Sequence, residues 1–96
     1  MVAFDNAHLS FPLIIRKWKK GDIIKPFGML GSKKLSDLFI DHKISLVEKE
    51  NVFVIESKGE IILVPGIRQS SIASVRPETT KAFFIHLEKM NQPIHE

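Results

Sequence analysis

The residues best suited to chemistry in this chain are its cations, and the chemistry they suggest is the binding of a polyanion. Residues 1–43 hold eight basic and four acidic side chains, whereas residues 44–96 hold six basic and seven acidic ones. Such an asymmetry between halves indicates a face for a polyanion such as nucleic acid. The ordinary alternative is a solvated surface. The basic half contains Arg16, Lys17, Lys19, Lys20, Lys25, Lys33, Lys34 and Lys43.

Lys33 and Lys34 stand where the clearest helix is predicted to begin. Ser32 is a suitable N-cap and apolar residues follow at helical spacing, so the sequence predicts a helix over residues 32–42. Two lysines in a first turn add charge to unpaired N–H groups that are already partly positive, an arrangement that favours a bound anion. We therefore predict a phosphate site there. The alternative is a solvated pair between Lys33 and Asp37.

Two neighbouring features bear on this site. Lys19 and Lys20 extend the basic track beside Trp18, which we interpret as a core or edge aromatic rather than a platform for stacking bases. The spacing Gly28-x-x-Gly31 is also that of the loop with which a KH domain clamps single strands. In a KH domain a helix leads into that loop, whereas Pro26 disfavours helical angles in the residue before it, so KH is the weaker alternative.

No arrangement of side chains predicts catalysis, a metal site or a cofactor in this chain. Cysteine is absent, which excludes thiolate ligands and thiol nucleophiles. The pair Asp37 and Asp41 falls on the polar face of the predicted helix, where solvated ion pairs are usual. His42 is interpreted as a packed or edge histidine on the apolar face of the helix rather than as a catalytic residue. The four histidines, which fit no metal-ligand spacing, are His8, His42, His86 and His95.

Helices and strands must position these cations, and the sequence predicts them in an α+β fold. We expect a small single domain with a mixed or antiparallel sheet and one main helix. Residues 52–57 and 60–64 form a hairpin candidate around Lys58-Gly59, with apolar residues in succession that predict cover on both faces. Further expected elements are strands at 11–18 and 23–24, weak pairing at 72–75, and an irregular or helical connection at 44–51. Residues 79–87 form a strand or a helix, and their Thr and Phe content favours the strand.

The predicted organisation is a lead-in or linker at residues 1–10, a binding domain at 11–90 and a tail at 91–96. The apolar runs are much shorter than the ~20 residues that span a bilayer, and the N-terminus lacks the pattern of a secretory signal. We therefore expect a cytoplasmic protein without a membrane partner.

A longer pattern resembles the C-terminal domain of bacterial tRNA(Ile)-lysidine synthetases. It comprises Arg16, then Lys20-Gly21-Asp22, then the run from Pro26 through Gly28, Gly31, Ser32, Lys33 and Lys34 to Asp41. The stretch Ile44-Ser45 to Glu48-Lys49, the hairpin and Val64-x-Gly66-x-Arg68 continue it, so the resemblance covers about residues 12–87.

The resemblance implies a function that spacing alone does not supply. Enzymes of this family use ATP and Mg to activate the wobble cytidine of an isoleucine tRNA, which lysine attacks to give lysidine. The chemistry belongs to an N-terminal domain with a Ser-Gly-Gly-x-Asp-Ser loop, a motif absent here. The chain would then be a non-catalytic fragment of a ligase. Its implied partners are the acceptor region of isoleucine tRNA and its own catalytic domain.

Carried over residue by residue, the resemblance implies a set of RNA-binding positions. Asp22 is expected to hold a turn rather than to touch RNA. Ser45 and Lys49 depart from the family pattern after the helix, and the stretch 69–73 departs from it after Arg68. The resemblance therefore implies no RNA contact for the loop at 69–73. A protein-interaction or dimerisation domain that braces the catalytic body, with Ile40 exposed, is the alternative function, and a homodimer stays open. The RNA-binding set is Arg16, Lys19, Lys20, Lys25, Lys33, Lys34 and Arg68, with Gly21, Gly28, Gly31 and Ser32 as turn or backbone-approach positions.

Overall fold

Eight strands in three antiparallel sheets and two short helices form the fold in a computed structural model, which describes residues 1–88. The strands are β1 (Val2–Asp5), β2 (Ile14–Lys17), β3 (Ile23–Ile24), β4 (Lys33–Lys34), β5 (Phe53–Ser57), β6 (Glu60–Val64), β7 (Arg68–Gln69) and β8 (Ala82–Ile85). The helices are α1 (Leu35–Asp41) and α2 (Leu46–Glu50), and a 3-10 turn covers Asn6–His8. This architecture confirms the predicted α+β class.

The central sheet has the order β2-β5-β6-β7 and is built on the predicted hairpin of β5 and β6. Lys58 and Gly59 turn the chain with φ angles of 51° and 78°, and positive φ at both positions matches the twist of a two-residue hairpin. Apolar side chains on both faces of the hairpin are buried, which confirms the prediction of cover on both sides.

Each face of the hairpin supports its own apolar cluster. One lies toward α1 and consists of Ile24, Leu35, Leu38, Phe39, Val54, Ile61 and Val64. The other consists of Phe4, Leu9, Ile55, Ile62, Leu63 and Ala73. Full burial of an aliphatic or aromatic side chain contributes about 1.5–3 kcal/mol, so both clusters matter to a chain of this size.

The prediction of a loose lead-in at residues 1–10 is wrong. β1 pairs with β8 through a four-residue register, and the side chain of Phe4 is 0% exposed in the second cluster. The partner strand lies about 80 residues away in sequence, so no local pattern announces the pairing. β8 confirms the strand predicted at 79–87 but is shorter. The predicted tail at 91–96 lies outside the described residues.

The predicted helix at 32–42 exists but starts three residues later. Lys33 and Lys34 form β4, which pairs with β3, and Lys34 is an N-cap without a side-chain hydrogen bond. The Leu35 N–H donates to the Asp22 carbonyl, so tertiary pairing takes over the backbone that Ser32 was predicted to cap. His42 ends α1 as an exposed C-cap, which corrects its assignment to the apolar face.

Candidate nucleic-acid interface

A tight turn at the end of β2 carries the first group of cations. The Lys19 N–H donates to Asp22 Oδ2 at 2.7 Å, and the Asp22 N–H donates to the Lys19 carbonyl at 3.1 Å. Gly21 takes φ +96°, a conformation that a β-carbon would strain. Asp22 is buried, while Lys19 and Lys20 project into solvent. The expectation that Asp22 holds the turn is confirmed.

Trp18 anchors this turn against both helices. Its ring meets Phe39 of α1 edge-to-face, with centroids 4.9 Å apart, and its Nε1–H donates to the Lys49 carbonyl of α2 at 2.6 Å. Lys49 Nζ lies 5.4 Å from the ring centroid, within range of a cation–π contact. The half-buried side chain therefore acts as an edge aromatic, as the sequence predicted.

The turn and α2 together line a basic groove, which we call the tryptophan groove. Four lysines and one glutamate give it a formal charge of +3. Its lining residues are Lys17, Trp18, Lys19, Lys20, Leu46, Lys49 and Glu50. Ser45 and Glu48 fix its α2 side through a capping box, in which each side chain accepts from the other residue's N–H. The hydrogen bond from the Ser45 N–H to the Glu48 carboxylate, with a further contribution from the Ser45 side chain, lowers the pKa of Glu48 below its ordinary value.

Sequence reasoning missed two of these lysines as site residues. Lys17 belongs to the run of lysines around Trp18, so the run itself could have revealed it. Lys49 is 31 residues from Trp18, and only the packing of α2 on the indole brings it into the groove. Of the predicted cations, the structure places Lys19 and Lys20 together here.

Arg16 is engaged by carboxylates. Its Nε donates to Glu56 Oε2 at 2.7 Å, and its two terminal nitrogens donate to the two oxygens of Asp22 at 3.0 Å each. A further bond reaches the Lys17 carbonyl, so four of the five N–H donors of the guanidinium are used. Hydrogen bonding to Asp22 raises the pKa of Arg16 against the opposing effect of burial.

The same contacts affect the buried carboxyl of Asp22. Burial alone would raise the pKa of Asp22, but hydrogen bonds from Arg16 and from the Lys19 N–H outweigh it, and the pKa is lowered. The carboxylate therefore stays charged across the physiological range, and the ion pair with Arg16 stays intact.

Lys33 and Lys34 line a second depression, which we call the loop groove. Its lining residues are Met29, Ser32, Lys33, Lys34, Asp37, Ile40 and Asp41. The formal charges of its two lysines and two aspartates sum to zero. Lys33 Nζ forms an ion pair with Asp41 rather than with Asp37. Lys33 and Lys34 precede α1 and Asp37 occupies its first turn, so the prediction of two lysines in the first turn of the helix is wrong.

The other predicted positions surround the loop between β3 and β4. Arg68 donates to the Phe27 carbonyl at 2.9 Å, and the Phe27 N–H donates to the Gln69 carbonyl. These bonds hold a loop in which Gly28 and Gly31 both have positive φ, with open space around each α-carbon. Lys25 is exposed at the start of this loop. Phosphate contacts of Lys25 and Arg68 stay predictions.

Within residues 1–88, no cluster of three or more His, Asp or Glu side chains is arranged to hold a metal ion. None of the described helices is long and apolar enough to cross a bilayer.

Comparison with known proteins settles the family. Residues 13–86 match the family model of the TilS substrate C-terminal domain. The chain belongs to this family. The resemblance drawn from the residues over about 12–87 is thus confirmed. The comparisons do not favour the alternative of a protein-interaction or dimerisation domain.

Two relatives illustrate the match. A tRNA(Ile)-lysidine synthase of Parabacteroides distasonis is 42% identical over 82 residues, which cover 85% of this chain and 19% of that protein. A tRNA(Ile)-lysidine synthase of Bacillus subtilis is 52% identical over 63 residues, 65% of this chain and 13% of that protein. The chain therefore spans less than a fifth of the length of these relatives.

A solved structure extends the likeness to three dimensions. The crystal structure of a TILS C-terminal domain superposes with a TM-score of 0.72 at 32% identity, covering 81% of this chain and 62% of that one. The TilS substrate C-terminal domain family thus accounts for both the sequence pattern and the fold of this chain.

Proposed function

We propose that this chain is the tRNA-binding domain of a tRNA(Ile)-lysidine synthase and that the tryptophan groove contacts the tRNA backbone. The observation that carries the proposal is the formal charge of +3 in a groove whose walls are fixed by Trp18. Lysines neutralise phosphates and release counterions whatever the base sequence, so such a groove suits a structured RNA backbone.

The groove has the rigidity that backbone recognition needs. Trp18 is fixed by Phe39 on one side and by the Lys49 carbonyl on the other. The turn that presents Lys19 and Lys20 is closed by two hydrogen bonds between Lys19 and Asp22, one donated by each backbone N–H. Four ammonium groups thus project from a fixed frame, which lowers the entropy lost on binding.

We base the choice of tRNA region and the reaction of the longer enzyme on membership of the family. We assign the acceptor region of isoleucine tRNA as the ligand, and the ATP- and Mg-dependent formation of lysidine to the rest of a longer cytoplasmic ligase. The relatives from Parabacteroides distasonis and Bacillus subtilis are tRNA(Ile)-lysidine synthases, which supports the substrate class. This chain would then select or orient the tRNA without taking part in the chemistry.

Binding as a function of salt tests the proposal. The chain is titrated with isoleucine tRNA, with an acceptor-stem minihelix and with the anticodon stem-loop, at several salt concentrations. About four lysine–phosphate contacts predict a log–log slope of about −3 to −4 for the tRNA and the minihelix, with weaker binding of the stem-loop. Absence of tRNA binding, or a slope near zero, would refute the proposal. Equal affinity for both fragments would remove the acceptor-region assignment.

A further inference from the structure

Arg16 lies at the junction of three elements that the tryptophan groove requires. It projects from β2, bonds Glu56 on the neighbouring strand β5, and bonds Asp22 at the far end of the basic turn. The side chains of Arg16, Asp22 and Glu56 are 27%, 7% and 14% exposed, so this network is largely covered. Charge-assisted bonds in such a site are stronger than those at an open surface.

Asp22 connects this network to the turn and to α1. One of its carboxylate oxygens accepts from both Arg16 and the Lys19 N–H, and its carbonyl accepts from the Leu35 N–H. The position of Lys19 is therefore coupled to the guanidinium through a single buried carboxylate. Lys19 and Lys20 are exposed and gain little fixation from packing of their own.

The charge of the network opposes a direct contact with phosphate. One guanidinium and two carboxylates carry a formal charge of −1, and the carboxylates already occupy the donors that a phosphate would use. A phosphate at Arg16 would have to displace Asp22 or Glu56 from a covered site, which leaves a buried charge unpaired and is costly.

We propose that Arg16 is a positioning residue: clamped between Asp22 and Glu56, it fixes the turn that presents Lys19 and Lys20 to RNA and does not itself contact phosphate. The inference rests on the proposed function, since it concerns how the same groove is held. It replaces the phosphate contact that the sequence predicted for Arg16.

Asp22→Asn separates the two roles because they predict effects of opposite sign. If Arg16 contacts phosphate, removing the competing carboxylate frees it and adds positive charge, so tRNA affinity rises. If Arg16 positions the turn, tRNA affinity falls by roughly three- to tenfold although the chain is more positive. The slope of log affinity against log salt should also become less negative by about one, because one lysine–phosphate contact is lost.

Glu60→Gln is the matched control, because Glu60 is an exposed carboxylate at the hairpin turn and, within residues 1–88, takes no part in the hydrogen bonds of Arg16 with Asp22 and Glu56. Its affinity should equal or slightly exceed that of the unaltered chain. Thermal melts of all variants ensure that binding is measured on folded protein. A loss of stability alone would leave the salt slope unchanged, because the folded molecules would still make the same number of phosphate contacts.

Arg16→Lys decides the matter if Asp22→Asn fails to fold. Lysine keeps the charge but loses the bidentate fork. A positioning role predicts a several-fold loss of affinity, and a phosphate contact predicts near-unchanged binding. Tighter binding by Asp22→Asn, or full binding by Arg16→Lys, overturns the inference and leaves the proposed function standing. Failure of the unaltered chain to bind tRNA overturns both.

Discussion

The tryptophan groove and the loop groove both contain neighbouring lysines, yet their charges differ. The first has four lysines and a single carboxylate, from Glu50, whereas the second pairs two lysines with two aspartates. A pair of lysines is therefore a candidate phosphate site only where nearby carboxylates do not already neutralise it.

The largest effect should come from the anchor of the tryptophan groove. Trp18→Ala removes the edge-to-face contact with Phe39 and the hydrogen bond to α2, so we expect the free energy of unfolding to fall by about 3 kcal/mol. Leu30→Ala, in the exposed loop, should change it by less than about 0.5 kcal/mol. Urea denaturation measures both. Equal effects would mean that Trp18 is not an anchor.

Charge reversal in the two grooves should affect tRNA binding unequally. Lys19→Glu with Lys20→Glu should weaken binding roughly 10- to 100-fold at about 0.1 M salt, because both ammonium groups face the proposed backbone path. Lys33→Glu with Lys34→Glu makes the same change in net charge. We expect less than about a fourfold loss from it, since Lys33 is already paired with Asp41. A larger loss in the second variant would move the interface to the loop groove.

The ion pair of Arg16 with Asp22 is covered, whereas that of Lys33 with Asp41 is exposed, so removing each aspartate should affect stability differently. The folded pKa of Asp22 is lowered, so the unfolded state binds more protons in the acid range and the pair stabilises the fold above the unfolded pKa. That contribution should be lost as pH falls through the folded pKa. Asp22→Asn should therefore cost about 1–2 kcal/mol at neutral pH, and the difference from the unaltered chain should narrow in acid.

Asp41→Asn is the matched variant, because its ion pair with Lys33 lies on an exposed surface. Its cost at neutral pH should be under about 1 kcal/mol, as is usual for surface pairs. Stability curves from chemical denaturation across pH compare the two variants. An effect of Asp41→Asn as large as that of Asp22→Asn would remove the distinction between a covered and a solvated pair.

The parts of the fold that local patterns encode were predictable. The hairpin of β5 and β6 follows from two apolar runs around Lys58-Gly59, and the apolar spacing after Leu35 indicates a helix. The start of that helix was not predictable from capping rules, because the pairing of β4 with β3 overrides the preference of Ser32. β1 escaped prediction for a similar reason, since its partner β8 is distant in sequence.

In the candidate site, too, local patterns predict some residues, whereas contacts between distant residues could not be predicted. Lys19 and Lys20 could be predicted because turn chemistry at Gly21-Asp22 exposes them next to Trp18. The contacts of Arg16 with Glu56 and of Trp18 with Lys49 join residues 40 and 31 positions apart, which no local pattern contains. The sequence therefore located the basic surface but could not decide which cations are paired.

The fluorescence of Trp18 tests most directly whether RNA occupies the tryptophan groove, because the chain has one tryptophan and no tyrosine. Acrylamide quenching of its emission is measured while isoleucine tRNA is added, with binding followed independently by gel shift. We expect Trp18 to become protected from quenching over the same concentration range in which the complex forms. A complex that forms while the quenching of Trp18 stays unchanged would show that RNA does not occupy the tryptophan groove.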